Sequence, residues 1–359
     1  MVTLWLSLAW GTEAACFEAP TRACLIEEIR ASPWADKKPL KRTTVAIRAL
    51  LVALSDDAAA AEALATEVNG MFSDRDFAQY DLVTVYARFG KREWAAGPLE
   101  QLAPQSALHW QAKLTLDEAD PDAAMATLKQ VPEELGFRSH VLVQALWIQL
   151  DHDRLDAAKQ IVALLPEPTG QKSPVMHTID QDGGRARIAR WAFRKGDLAE
   201  ARAQRDAMSD PSEVDAWLQW ADADESKLQT AIAAVPEASF DKNWELSALA
   251  EDLVAARRYA WVERVQAAMV IEPHNDPRKK SAKAHLLELA RHDWNATVER
   301  WDAYPKAVRS DAVWPLLLVA LESPTPDRVA FGRRLLLDAP SFSLGHQKEL
   351  ALAELAAQL

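Results

Sequence analysis

Seven times in this chain a helix-like run closes on a proline. The endings are Leu102-Ala103-Pro104, Val131-Pro132, Leu165-Pro166, Val235-Pro236, Glu272-Pro273, Tyr304-Pro305 and Ala339-Pro340. A proline just past a helix end cannot continue the helix, so each ending marks a stop. The interval from Pro166 to Pro236 reads as two units divided near Met208 to Pro211, and the spacing then averages about 34 residues, the period of a helix pair. One such pair cannot bury its own apolar face, so the recurrence demands stacked neighbours of the same kind. One period before Pro104 stands Asn69-Gly70, which reads as a left-handed helix terminator. Helices are expected over 43–54 and 57–68 in that first unit, and about nine pairs between Leu40 and Pro340.

Inside the pairs, a polar break precedes a patch of small residues. Gly90-Lys91 stands before Ala95-Ala96, Asp120-Pro121-Asp122 before Ala123-Ala124, and Asp151-His152-Asp153 before Ala157-Ala158. Later versions are Gly196-Asp197 before Ala201 and His292-Asp293 before Ala296. Small side chains there let the second helix lie close against the first. The stretch Ile188-Ala189-Arg190-Trp191-Ala192-Phe193-Arg194-Lys195-Gly196-Asp197-Leu198-Ala199-Glu200-Ala201-Arg202 shows the whole device: an apolar-periodic helix, a Gly-Asp break, and a second helix opening on small residues. In its period and in the Gly-Asp-x-x-x-Ala core of residues 196–201, the chain resembles the tetratricopeptide repeat family. The resemblance covers roughly 300 residues, without the family's full set of large, Gly, Tyr, Ala and Pro positions in any unit. It implies an all-α, right-handed α-α superhelix with a concave face used for protein–protein interaction.

Composition agrees with all-α. Of 359 residues, 49% are hydrophobic and 26% charged, as in a folded globular chain, and only 11 are glycine. The net charge of −12 disfavours nucleic acid and anionic membrane surfaces and suits a basic or neutral protein or peptide partner. Two local basic clusters, Lys37/Lys38/Lys41/Arg42 and Arg278/Lys279/Lys280/Lys283, read as solvated faces.

Residues 2–10 are mostly apolar, and small residues follow at Ala14-Ala15, as in a short export signal, although no Lys or Arg precedes the run. The other reading makes Leu4, Leu6 and Leu8 part of a first packed element. The run is too short for a bilayer-spanning helix, which needs roughly 20 apolar residues. The two cysteines, Cys16 and Cys24, flank Pro20, which breaks any single helix through both and lets a loop bring the sulfurs together. Export to the periplasm with a Cys16–Cys24 disulfide is expected, the alternative being a cytoplasmic chain with two reduced thiols. The division is then 1–15 signal, 16–39 N-terminal segment, 40–340 helical array and 341–359 a capping helix striped by Leu352, Leu355 and Leu359. The interval from Glu167 to Gly184, rich in Pro and Gly, reads as an inserted loop.

No catalytic, phosphate-binding or dinucleotide-binding motif is present. None of the eight histidines falls in a metal-binding spacing; His285 and His292 share a helix face only if that helix runs unbroken. Asp180-Gln181-Asp182-Gly183-Gly184 begins like a calcium loop but lacks the distal Glu, and reads as a polar turn. No cofactor, metal or catalytic residue is expected. Tryptophan is abundant, at 14 residues. Trp94, Trp147, Trp191, Trp217, Trp244, Trp261, Trp294 and Trp314 fall in expected helices, and most are expected to fill gaps between layers. Trp217 with Trp220, and Arg190 with Arg194, share helix faces and are the expected partner-contacting residues, since Trp and Arg dominate binding hot spots. The leading reading is a non-catalytic interaction or scaffold protein of the cell envelope. The second is an enzyme on a helical superhelix, glycan-processing or prenyltransferase-like, with its site assembled across repeats.

Overall fold

A computed structural model describes residues 15–38, 40–71, 74–103, 106–118, 120–130, 138–168, 180–237, 239–271, 276–340 and 346–359. Among them every regular element is helical. Helix α1 (Arg22–Arg30) precedes nine sequential pairs. These are α2 (Arg42–Ser55) with α3 (Ala58–Asn69), α4 (Arg75–Arg88) with α5 (Arg92–Gln101), and α6 (Ala107–Leu116) with α7 (Pro121–Leu128). Then come α8 (Arg138–Asp151) with α9 (Leu155–Val162), α10 (Gln181–Arg194) with α11 (Leu198–Asp206), and α12 (Ser212–Leu218) with α13 (Glu225–Ala233). The last three are α14 (Ser239–Ala255) with α15 (Tyr259–Ala268), α16 (Arg278–His292) with α17 (Trp294–Ala303), and α18 (Lys306–Arg309) running through a 3₁₀ turn into α19 (Val313–Glu322), paired with α20 (Pro326–Leu335). Helix α21 (Gln347–Ala357) follows. The first pair lies within a residue or two of its expected bounds.

The hairpin turn between paired helices is built the same way in five pairs. Asp56, Gly90, Asp153, Gly196 and Arg257 take positive φ, between 56° and 85°. The next residue sends its N–H back five positions: Lys91 to Tyr86 O at 2.7 Å, Arg154 to Gln149 O at 2.8 Å, Asp197 to Ala192 O at 2.9 Å, Arg258 to Leu253 O at 2.8 Å and Asp57 to Val52 O at 3.5 Å. This is the Schellman closure of a helix C-terminus. The same residue then opens the second helix, and where it is Asp its carboxylate caps forward, as Asp57 does to Ala60 N and Asp197 to Glu200 N. One residue thus ends one helix and starts the next, which fixes the angle of the hairpin. Gly70 is the exception to expectation: its φ is −81°, and α3 ends without a left-handed residue.

In eight of the nine pairs, four residues after the N-cap of the second helix comes a buried position where it meets the first. It is Ala61, Ala95, Ala124, Ala158 and Ala201 in the pairs from α2 to α11, all buried. In the later pairs the position holds Leu228, Val262 and Thr297, each fully buried. The small-residue patches of the sequence are therefore contact points in the earlier pairs, and the later ones use larger side chains; beside Ala296 it is Thr297 that is buried.

Neighbouring pairs are registered by a ladder at the turns. Lys91 Nζ reaches Asp56 at 2.5 Å, Arg154 reaches Asp122 at 2.5 Å, and Lys195 reaches Asp153 at 2.7 Å. Trp191 Nε1 donates to Leu150 O at 2.9 Å, and Arg258 Nε to Trp220 O at 2.9 Å. Exposed ion pairs contribute little stability, about 0–1 kcal/mol each. Each of the three links residues of adjacent helix pairs.

The chain forms two compact units, Asp36–Asp215 and a discontinuous one made of residues 15–35 with Ala216–Leu359. The boundary falls within α12. In the first, Leu114, Leu142, Leu146, Ile161, Val162 and Ile188 form the core; in the second, Trp220, Leu228, Leu246, Leu253, Val262 and Val265 do. The sequence predicts one array over 40–340 with separate ends. In the structure α21 packs on both α19 and α1, so the segments at 15–35 and 346–359 cover each other. Arg22 Nη1 donates to Ala356 O at 3.0 Å and Ser32 Oγ to Glu349 Oε1 at 2.7 Å. The sulfurs of Cys16 and Cys24 stand at bonding distance, 2.12 Å, across the break at Pro20.

The expected loop of residues 167–184 is shorter at its far end. Asp180 caps α10 through Gly183 N at 3.0 Å, so Gly183 and Gly184 lie in that helix's first turn. Gly184 is there for packing: an added Cβ would stand 2.7 Å from Leu165 Cδ1. Asp182 is buried and accepts from Ser209 N and Asp210 N at 2.9 and 3.0 Å, with Arg185 at 3.2 Å. Residues 1–14, Pro104, Pro132, Pro273 and 169–179 lie outside the described residues.

Candidate functional site

Each of the eight helix-borne tryptophans lies within a helix, but Trp217 and Trp220 do not form the expected partner surface. They are 4% and 3% exposed and belong to the interior. Trp220 packs with Leu228 and Leu253, its carbonyl accepts from Arg258, and Lys227 Nζ sits over its ring at 5.0 Å. Trp217 lies in α12, which ends at Leu218, while Trp220 lies in the turn beyond it, so the two do not share a helix face. Arg190 and Arg194 lie in the other unit, half-buried and engaged in interactions of their own.

Among the described residues, the large apolar side chains that reach solvent follow a rule. Phe77, Trp147 and Trp244 are 38%, 38% and 68% exposed, and each belongs to the first helix of its pair, α4, α8 and α14. The exposed aliphatic residues Leu164, Val270, Ile271 and Leu337 all follow second helices. Trp244 lies opposite the stripe of Leu246, Ala250, Leu253 and Val254 by which α14 packs. Beside it, Asn243 clamps Val270: its Nδ2 donates to Val270 O and its Oδ1 accepts from Val270 N, both at 2.9 Å. Val270 and Ile271 are thereby held out next to an exposed indole. Of the basic cluster at the start of α16, Arg278 is paired to Asp276 at 2.6 Å and Lys280 to Glu251 at 2.7 Å.

The densest polar chemistry is buried. His285 on α16 is 1% exposed, stacks on Tyr259 with ring centroids 4.9 Å apart, and meets Tyr304 OH at 3.0 Å through Nδ1. Gln266 Nε2 donates to Ser281 Oγ at 2.9 Å in the same layer. Burial, with Arg300 adding repulsion, pushes the imidazole down to about 3, and burial pushes the Tyr304 phenol up to about 12. Helix α16 runs unbroken to His292, yet His292 turns to Glu288 at 3.1 Å and does not join His285. No group of three His, Cys, Asp or Glu that could hold a metal ion occurs among the described residues. A neutral imidazole closed off from solvent serves packing and hydrogen bonding.

The fold and its exposed aromatics define an all-α protein of stacked helix pairs. No protein-family model matches the chain, and no curated protein and no solved structure matches it either.

Proposed function

We propose that this protein is a non-catalytic interaction module that presents the first helices of its pairs to a protein or peptide partner. The observation that supports this is the placement of Phe77, Trp147 and Trp244: among the described residues the exposed aromatics lie on the first helices of pairs, and exposed aromatics are residues a partner would bury. The resemblance to tetratricopeptide repeats implies a concave face used for protein–protein interaction and points the same way. The net charge of −12 favours a basic or neutral partner. Export is part of the proposal, because a paired Cys16 and Cys24 suit an oxidising compartment. No helix among the described residues is long and apolar enough to cross a membrane.

The test is a crosslinked pull-down from native cells, followed by mass spectrometry, with the unaltered chain, Trp244→Ala, Trp147→Ala and the control Leu337→Ala. One stoichiometric partner, retained by Leu337→Ala and lost by about tenfold or more with Trp244→Ala or Trp147→Ala, supports the reading, since a hot-spot aromatic is worth roughly 2 kcal/mol or more. Equal recovery by all four proteins, or no partner for any, removes it.

A further inference from the structure

Residues 15–30 contain two pieces that are held in different ways. Helix α1 is anchored by Leu25 and Ile29, both fully buried, and by the Arg22–Ala356 and Ser32–Glu349 hydrogen bonds to α21. The single helical turn at 15–18 is different. It carries Phe17, which is buried edge-on against Trp314 of α19 with ring centroids 6.3 Å apart, under Lys348 Nζ at 5.8 Å. One turn of helix is not stable by itself, and Pro20 prevents it from continuing into α1. Ala19 N donates to Ala15 O at 3.4 Å. What ties this turn to α1 is the Cys16–Cys24 link, with Cys24 seated at the third position of α1, where Thr21 Oγ1 accepts from its N–H at 3.2 Å.

We propose that the turn carrying Phe17 is a redox-sensitive latch over Trp314, closed while Cys16 and Cys24 are joined and released by a dithiol reductant, with α1 remaining seated on α21. Cys16 is buried and Cys24 half-buried, so a thiolate reaches Cys24 Sγ first. The attacking sulfur bonds to Cys24 Sγ, the Cys16–Cys24 bond breaks, and Cys16 leaves as a thiolate that takes up a proton. The second thiol of the reductant then displaces Cys24, which is protonated in turn, and the reductant becomes a disulfide. Two electrons pass and two cysteine thiols result. Phe17 then loses its only covalent tether to α1 other than the chain through Pro20, and its departure uncovers Trp314, now 3% exposed. The surface so exposed is aromatic and is hidden in the oxidised chain.

Amide hydrogen exchange of the full chain read by mass spectrometry tests this, comparing the oxidised protein, the protein in dithiothreitol, and Cys16→Ser/Cys24→Ser. Phe17→Ala with the cysteines intact is the fourth sample. The latch predicts exchange about tenfold faster or more at 15–20 and 313–317 in the reduced, double-serine and Phe17→Ala samples. Residues 22–30 and 347–357 change by less than about twofold in all of them. Unchanged exchange at 313–317 in reduced protein overturns the proposal. So does faster exchange spread evenly through α1 and α21, because the link would then be holding the whole segment. Free thiols in protein isolated under oxidising conditions overturn it as well.

Discussion

As pH falls from its ordinary value near 6.5, an imidazole in water gains a proton, while His285 stays neutral down to about 3. The unfolded chain therefore binds a proton that the folded chain refuses, and stability from this residue is complete above pH 6.5 and lost progressively below it. The slope reaches about 1.4 kcal/mol per pH unit between the two values. His285→Phe keeps the stack on Tyr259 and removes the titration. Urea unfolding of the two proteins from pH 7 to pH 4 is expected to show a flatter decline for the variant by up to that amount per unit. Parallel declines would mean that His285 is protonated in the folded state. The same scale shows what sequence could read. A spacing of three suggests that Trp217 and Trp220 share a helix face, but α12 ends at Leu218 and Trp220 lies in the turn beyond it, and a pair of rings at that interval fits a core as well as a surface. Trp244 was findable: it lies opposite the Leu246–Ala250–Leu253 stripe, a signal that needs the whole helix and not the pair.

At the scale of the helix pair, most of the design was legible because it is local. The proline stops, the small-residue contacts and the Gly-Asp break at 196–197 all follow from short-range backbone chemistry. What escaped was the left-handed residue where it is not glycine: Asp56, Asp153 and Arg257 carry the same closure as Gly90 and Gly196. Those positions cost local strain that the hairpin's packing offsets, so composition gives no sign of them. Gly70, which looked like such a terminator, is not one. Gly196 and Gly70 isolate the effect, since an added Cβ meets nothing within 4 Å at Gly196 and stands 3.4 Å from Glu67 O at Gly70, an ordinary contact. Gly196 has a φ of 85°, whereas Gly70 has a φ of −81°. Gly196→Ala should therefore destabilise by about 1–2 kcal/mol, and Gly70→Ala should stabilise by about 0.5–1 kcal/mol. Chemical denaturation of the two variants measures both. The same sign for both would show that the turn at 196 does not hold its left-handed form.

The whole molecule is where sequence order stopped being a guide. Repeat periodicity describes neighbours along the chain, and the contact of α1 with α21 joins residues more than 300 positions apart, as the Arg22–Ala356 bond does at a separation of 334. Nothing in a linear pattern announces it. The consequence is an asymmetry between the two units. Residues 36–215 are continuous and have their own core around Leu114, Leu142, Leu146 and Ile161. Residues 216–359 leave the apolar face of α21 that meets α1 uncovered unless residues 15–35 return to it. Burying side chains such as Leu25 and Ile29 is worth roughly 1.5–3 kcal/mol each, a large fraction of the stability of a domain this size. The fragment 36–215 is expected to unfold cooperatively by itself. The fragment 216–359 is expected to melt about 5 °C or more below the same unit in the full chain, given roughly 2–4 °C per kcal/mol for a unit of this size. Fusing residues 15–35 after Leu359 through a flexible linker should restore the lost stability. Circular dichroism melts of the three fragments decide it. A fragment 216–359 as stable as the fused form would mean that α1 merely rests on α21, and the two ends would then be independent appendages.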